Sequence, residues 1–115
     1  MELLNESFTI SSTNKDTSIY DYVSRAQLSN TNTSIILDYH SVLLTLIPNT
    51  TIELIITEEE LNDYDYVMDG MIYEIEHKDN TIFTASFGGL LMKVETKNNI
   101  IGLHERMEIR VGIKI

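Results

Sequence analysis

The strongest constraint in this chain is a two-residue alternation of apolar and polar side chains that returns in one short window after another. Near the C-terminal end Ile109, Val111, Ile113 and Ile115 alternate with Glu108, Arg110, Gly112 and Lys114. Ile52, Leu54 and Ile56 repeat the pattern, Leu90, Met92 and Val94 do so again, and Val67, Met71, Tyr73 and Ile75 share one parity around Asp69. Successive side chains of a strand point to opposite faces, so each window buries one face and wets the other. β-Branched and aromatic residues fill these windows, as a half-buried pleated surface prefers. Polar turns interrupt them at Ser11 to Ser18, Asn30 to Thr33, Pro48-Asn49-Thr50, His77 to Asn80 and Lys97-Asn98-Asn99. The pattern predicts strands over roughly 3–10, 20–29, 34–39, 41–47, 51–57, 65–76, 81–88, 90–95 and 107–115. Short strands with frequent turns build a sandwich or a small barrel, so the chain is expected to be all-β. With 115 residues, no internal repeat in the sequence and no Pro-, Gly- or Ser-rich linker, one domain over 1–115 is expected.

Two segments depart from simple alternation. Thr57-Glu58-Glu59-Glu60 fits a helix capping box, but only Leu61 follows as an apolar anchor. At most one or two helical turns fit there, and a solvated acidic connection is the plainer reading. Gly88-Gly89 lies between two strand windows, where a double glycine marks a bulge or a barrel corner. A phosphate cradle would need a following helix N-terminus and a nearby lysine, whereas Leu90-Leu91-Met92 reads as strand.

Several chemistries are not signalled. There is no cysteine, hence no disulfide, thiolate metal site or cysteine nucleophile. His40, His77 and His104 are far apart, and Asp38 with His40 offers two metal ligands on one strand face without an evident third. Carboxylates such as Glu53, Asp69, Glu74 and Glu76 sit where solvent-facing strand positions would be. No nucleophile elbow, Walker loop or dinucleotide fingerprint is present, so neither catalysis nor a cofactor is expected. No stretch approaches the roughly 18 apolar residues of a membrane span, and the first residues do not form a secretory signal. The net charge of −10, with eight scattered basic residues, argues against tight unaided binding to nucleic acid. It suits contact with a basic protein neighbour, or simple solubility.

Two motifs carry a resemblance. Asp65-Tyr66-Val67-Met68-Asp69-Gly70-Met71-Ile72-Tyr73-Glu74-Ile75-Glu76 is followed by Ser86-Phe87-Gly88-Gly89-Leu90-Leu91-Met92-Lys93-Val94. Together they resemble the eighth common subunit of the eukaryotic RNA polymerases, shared by polymerases I, II and III. Val23-Ser24-Arg25 and Ile36-Leu37-Asp38 are similar, more weakly, to that family's second and third strands. The resemblance implies a single antiparallel OB-like barrel of about eight strands. It further implies a nuclear, peripheral, non-catalytic subunit bound mainly to the largest polymerase subunit and its neighbours, and not a homo-oligomer. The chain departs from the family pattern at Phe87, where a tyrosine is expected, and at Met71, where a lysine is expected. The acidic connection is also short, Glu58 to Asp63 alone, so it reads as a pared-down member.

The run from Phe87 to Met92 is the expected docking surface, with Phe87, Gly88, Gly89 and Leu91 in it and Tyr66 and Met68 beside it. Alternation sends Leu90, Met92 and Val94 inward and Leu91 outward, on the side of Lys93 and Glu95. The competing reading is that these apolar residues are all core. A different class of function also fits the fold, a free OB module that stacks single-stranded nucleic acid on Tyr20, Tyr22, Tyr64 and Tyr66. Aspartates beside those tyrosines, in Tyr20-Asp21-Tyr22 and Tyr64-Asp65-Tyr66, weigh against it.

Overall fold

Each alternating window finds a partner for its backbone and a common interior for its apolar side. The computed structural model describes residues 1–15 and 22–115. Its strands are β1 (Glu2–Lys15), β2 (Val23–Ser29), β3 (Thr33–His40), β4 (Thr51–Thr57), β5 (Tyr66–His77), β6 (Thr81–Phe87), β7 (Leu90–Thr96) and β8 (Glu108–Lys114). They close into a single antiparallel barrel in the order β1-β2-β3-β7-β6-β5-β8-β4, with β4 returning to β1. The chain is thus all-β, and the described residues contain no helix.

Two long strands make closure possible, because each serves a different neighbour along each half of its length. Thr9 in β1 pairs with both Ser29 and Thr51, and Met71 in β5 pairs with both Ser86 and Glu108. Two residues further on, each strand breaks register, at Ser11 and at Tyr73. Such a bulge bends and twists a strand, as a corner in a ring requires. The same pair of backbone hydrogen bonds fixes each corner. Ile10 N donates to Thr50 O at 2.9 Å while Asn49 N donates to Ile10 O at 2.8 Å. Ile72 N donates to Met107 O at 3.0 Å while Arg106 N donates to Ile72 O at 2.7 Å. Asn49 and Arg106 both take the left-handed conformation, with φ of 69° and 65°. Exchanging β1–β4 for β5–β8 maps the ring order onto itself. The barrel therefore has a two-fold plan that no sequence repeat announced.

The interior is continuous. Phe8, Ile10, Leu28, Ile35, Leu37, Ile52, Leu54, Ile72, Phe83 and Met92 are essentially solvent-free within it. Each such side chain is worth about 1.5–3 kcal/mol when buried. The surface ion pairs Met1–Glu58 at 3.8 Å and Lys78–Glu76 at 3.6 Å are of the kind worth about 0–1 kcal/mol. Packing, not surface charge pairing, holds the ring together.

Several expectations are corrected. Residues 41–47 are not a strand: Leu43 N and Leu44 N both turn back to His40 O, at 3.1 and 3.0 Å. Leu44 and Leu46 instead join the core from a connecting loop, which reproduces strand alternation without a ladder. Ser11 to Lys15 continue β1 and are not loop, because β2 pairs with them up to Lys15–Ser24. The rest of that expected loop, 16–18, and the start of the expected second strand at 20–21 lie outside the described residues. Gly88 and Gly89 are the two central residues of a tight hairpin closed by the Phe87–Leu90 pair, not a bulge. Their φ values of 64° and 101° fit the turn that matches strand twist, which glycine reaches without steric cost.

The acidic connection forms no helix. Thr57 Oγ1 accepts from Glu59 N at 3.2 Å, so the expected cap closes a bend. Residues 58–65 then lie across the outside of β8, with Leu61 and Tyr64 against Gly112, where an added Cβ would meet them at 2.8 and 2.9 Å. Arg110 Nη1 donates to Glu58 O at 2.6 Å and pairs with Asp69 at 3.5 Å. Asp65 N donates to Ile113 O, and Asp65 Oδ2 accepts from Ile115 N at 2.8 Å. The connection is a fastened strap.

Candidate functional site

Antiparallel pairing places outward side chains in rows across the ring. One row runs Glu108, Met71, Ser86, Leu91 through successive strand pairs and continues to Asp38 and Arg25. The next runs Glu74, Thr84, Lys93, Ile36, Gln27. Met71, Leu91 and Ile36 are 40 %, 39 % and 40 % exposed, so large apolar side chains stand on the outer face of β5, β7 and β3. Between the rows lies a shallow cavity of about 220 Å³, lined by Arg25, Ile36, Thr84, Leu91 and Lys93.

The floor of this face is unusual for a barrel exterior. Asp38 has outward parity yet is only 5 % exposed. Arg25 Nε donates to Asp38 Oδ1 at 2.7 Å and Arg25 Nη2 to Oδ2 at 3.3 Å, a two-point contact between planar groups. Asp38 Oδ2 also accepts from the backbone N of Leu91 at 3.1 Å. The β3–β7 ladder ends one step earlier, at Leu37–Met92. Beyond it the side-chain carboxylate takes the place of a strand carbonyl.

Charge divides the barrel into two sides. β2, β3, β6 and β7 carry Arg25 and Lys93 against Asp38 and Glu95, so their charges cancel. The carboxylates gather on β1, β4, β5 and the strap, among them Glu53, Glu58, Glu59, Glu60, Asp69 and Glu76. Leu91 and Ile36 of the apolar face thus sit on the neutral side, and Met71 stands at its border on β5.

The residues expected to dock do not come together as one surface. Leu91 faces out, Met92 and Val94 face in, and Leu90 is half-buried against the core. Gly88 and Gly89 are exposed at the hairpin tip. Tyr66, Met68 and Phe87 are core residues, which corrects their expected place on the surface. Their strands put them on the inward parity, and Val67, Met71 and Tyr73 are the exposed large apolar residues of β5. Phe87 is held inside by Gly70: a Cβ there would strike the Phe87 ring and the Ser86 carbonyl. The Tyr66 hydroxyl receives a hydrogen bond from His40 N at 3.2 Å. Sequence reasoning missed Ile36, Met71, Arg25 and Asp38. The signal for Ile36 was its parity with Asp38, and the rest depended on knowing which strands are neighbours.

The tyrosines of the nucleic-acid reading sit on separate elements. Tyr22 stacks on His40 with centroids 6.1 Å apart, Tyr64 lies in the strap with Lys114 Nζ 6.0 Å from its ring, and Tyr66 is buried. Tyr20 lies outside the described residues. Among the described residues no group of three His, Cys, Asp or Glu side chains is placed to hold a metal ion.

Comparison with known proteins gives one family. The family model described as RNA polymerase Rpb8 matches residues 57–110, from the end of β4 into β8. That segment contains Met71, Thr84, Leu91 and Lys93 of the candidate face. No curated protein matches the chain.

Proposed function

Because the chain belongs to the RNA polymerase Rpb8 family, and so to the RNA polymerase subunits, we propose that it is a non-catalytic assembly subunit of the nuclear DNA-directed RNA polymerases I, II and III, docked on the largest subunit through the outer face of β7 and its neighbours. The observation that carries the reading is the pair of half-exposed Leu91 and Ile36 on the neutral side of an otherwise acidic barrel, with Met71 at its border on β5. Protein contacts are built in this way, with an apolar centre and a polar rim. Here Arg25, Thr84 and Lys93 supply the rim. The exposed Gly88-Gly89 tip lets a partner backbone approach closely beside Leu91. The acidic side then meets a basic neighbour or keeps copies of the chain apart, and it repels phosphate.

Leu91→Asp tests this. The residue is outside the core, so the isolated barrel should stay folded, within about 1 kcal/mol of the parent. Co-purification with the largest subunit should fall at least tenfold, because an unpaired carboxylate would enter an apolar contact. Met92→Asp, which puts the charge into the solvent-free interior, should unfold the chain. Undiminished assembly of Leu91→Asp would remove this face from the docking role.

A further inference from the structure

Resting on that docking reading, we infer that Asp38 is a positioning residue, which sets the β6–β7 hairpin, and with it Leu91, in the geometry a partner meets. The reason lies at the seam between β3 and β7. Their ladder runs from Thr33–Thr96 to Leu37–Met92 and stops. The Leu91 amide projects past that end and finds no strand carbonyl there. It donates instead to Asp38 Oδ2 at 3.1 Å. Gly88 and Gly89 follow at the tip, both in the left-handed region and with nothing within 4 Å of an added Gly88 Cβ. On this side a side-chain contact ties the hairpin to the barrel.

The carboxylate itself is held rigidly. It is 5 % exposed, and Arg25 on β2 grips both oxygens, at 2.7 and 3.3 Å. A charge-assisted bond to a fixed acceptor is stronger and more directional than one to water. Arg25, Asp38 and the Leu91 amide thus form a latch across β2, β3 and β7. The latch lies directly under the cavity lined by Arg25, Ile36 and Leu91. A face presented without reorganisation binds more tightly than one that must be ordered at the moment of contact.

The test separates the latch from the docking reading. Amide hydrogen exchange at Leu91 is read on the isolated full chain. In Asp38→Ala the Leu91 amide should exchange about tenfold faster or more, while Met92 and Val94 keep their protection. Asp38→Asn retains an oxygen acceptor and should restore most of the protection. Affinity for the largest subunit should drop about tenfold in Asp38→Ala and recover to within about threefold in Asp38→Asn. If Asp38→Ala fails to fold, Arg25→Gln, at a half-exposed position, serves instead and should raise Leu91 exchange alone by a few-fold. Unchanged Leu91 exchange overturns the latch. Unchanged affinity in Asp38→Ala, where Leu91→Asp abolishes it, overturns the positioning role. If the parent chain itself does not bind the largest subunit, both the docking reading and the positioning role fall, and the exchange result then reports only whether the latch exists.

Discussion

The two halves of the barrel, β1–β4 and β5–β8, solve the same geometric problem with different side chains. At the corner of the first half Phe8 precedes the shared residue Thr9 and fills the interior with its own ring. The matching position before Met71 is Gly70, and the ring there comes from across the ladder, from Phe87. The residue matching Phe87 in the first half is Asn30, which follows Ser29 as Phe87 follows Ser86. Asn30 spends its side chain on the turn. Its Oδ1 accepts from Asn32 N and Thr33 N, each at 2.9 Å, and its Nδ2 donates to Glu6 Oε1 at 2.7 Å. The second half closes its hairpin by backbone conformation alone, at Gly88-Gly89. The lesson is that this fold requires one ring per corner and one closed turn per hairpin, and does not specify which residue provides either. Freed of an internal task, the Gly-Gly hairpin is available to face outward.

The largest effect should come from the two rings. Phe8→Ala and Phe87→Ala each leave a cavity in the core and should cost about 3–5 kcal/mol. Because both halves share one interior, chemical denaturation followed by circular dichroism should show one transition in both variants. Two separate transitions in either would mean that the halves are independent folding units. A smaller effect separates the turns. Gly89→Ala forces a side chain into φ near 101° and should cost about 1–2 kcal/mol. Asn32→Ala, at the matching position, has no such φ to pay for and should change stability by about 0.5 kcal/mol or less. Thermal melts that rank the two the other way would break the correspondence between the hairpins.

The smallest effect concerns titration. Tyr39 and Thr96 occupy matching inward positions. Burial raises the Tyr39 phenol above its usual 10.0, against a smaller lowering by the Ser24 hydroxyl. The folded state therefore holds this proton more tightly than the unfolded chain. Stability is indifferent to the group below about pH 10 and falls as pH climbs from there through the folded value. Tyr39→Phe should flatten that part of an alkaline stability curve, whereas Thr96, whose hydroxyl meets Thr33 at 2.8 Å, contributes no slope there. Equal alkaline slopes in Tyr39→Phe and the parent would assign the loss to other groups.

Much of the ring was legible in the sequence because its strands are short and bounded by turns. The window 51–57 matches β4 from end to end, and the windows at 81, 90 and 107 are within a residue of β6, β7 and β8. The errors have a common physical origin: hydrophobicity reports burial, and burial is not always on a strand's inner side. Leu44 and Leu46 are buried from a loop. Val67, Met71 and Tyr73 are apolar yet outward, which made the parity of β5 read backwards and placed Tyr66 and Met68 outside. The exposed Ser11 and Asn14 hid the second half of β1, because polar residues paired on an outer face look like loop. The two-fold plan escaped notice since it repeats hydrogen bonds and φ values, not residue types. The candidate face was legible only at Leu91, and its other members are set by which strands lie side by side.

The ring order has a consequence for the newborn chain. The strands of the two halves pair where β3 meets β7 and where β4 meets β8, so this backbone pairing between them waits for residues from 90 onward. At a synthesis rate of about 5–20 residues per second, the first half spends several seconds emerged without the strands that will cover its flanks. During that interval the backbone edges of β3 and β4 are open and the apolar lining of four strands faces the crowded cell. The time of greatest vulnerability is therefore on the ribosome, and a chaperone that shields residues 33–57 until the second half arrives would act where the architecture leaves the chain least able to protect itself.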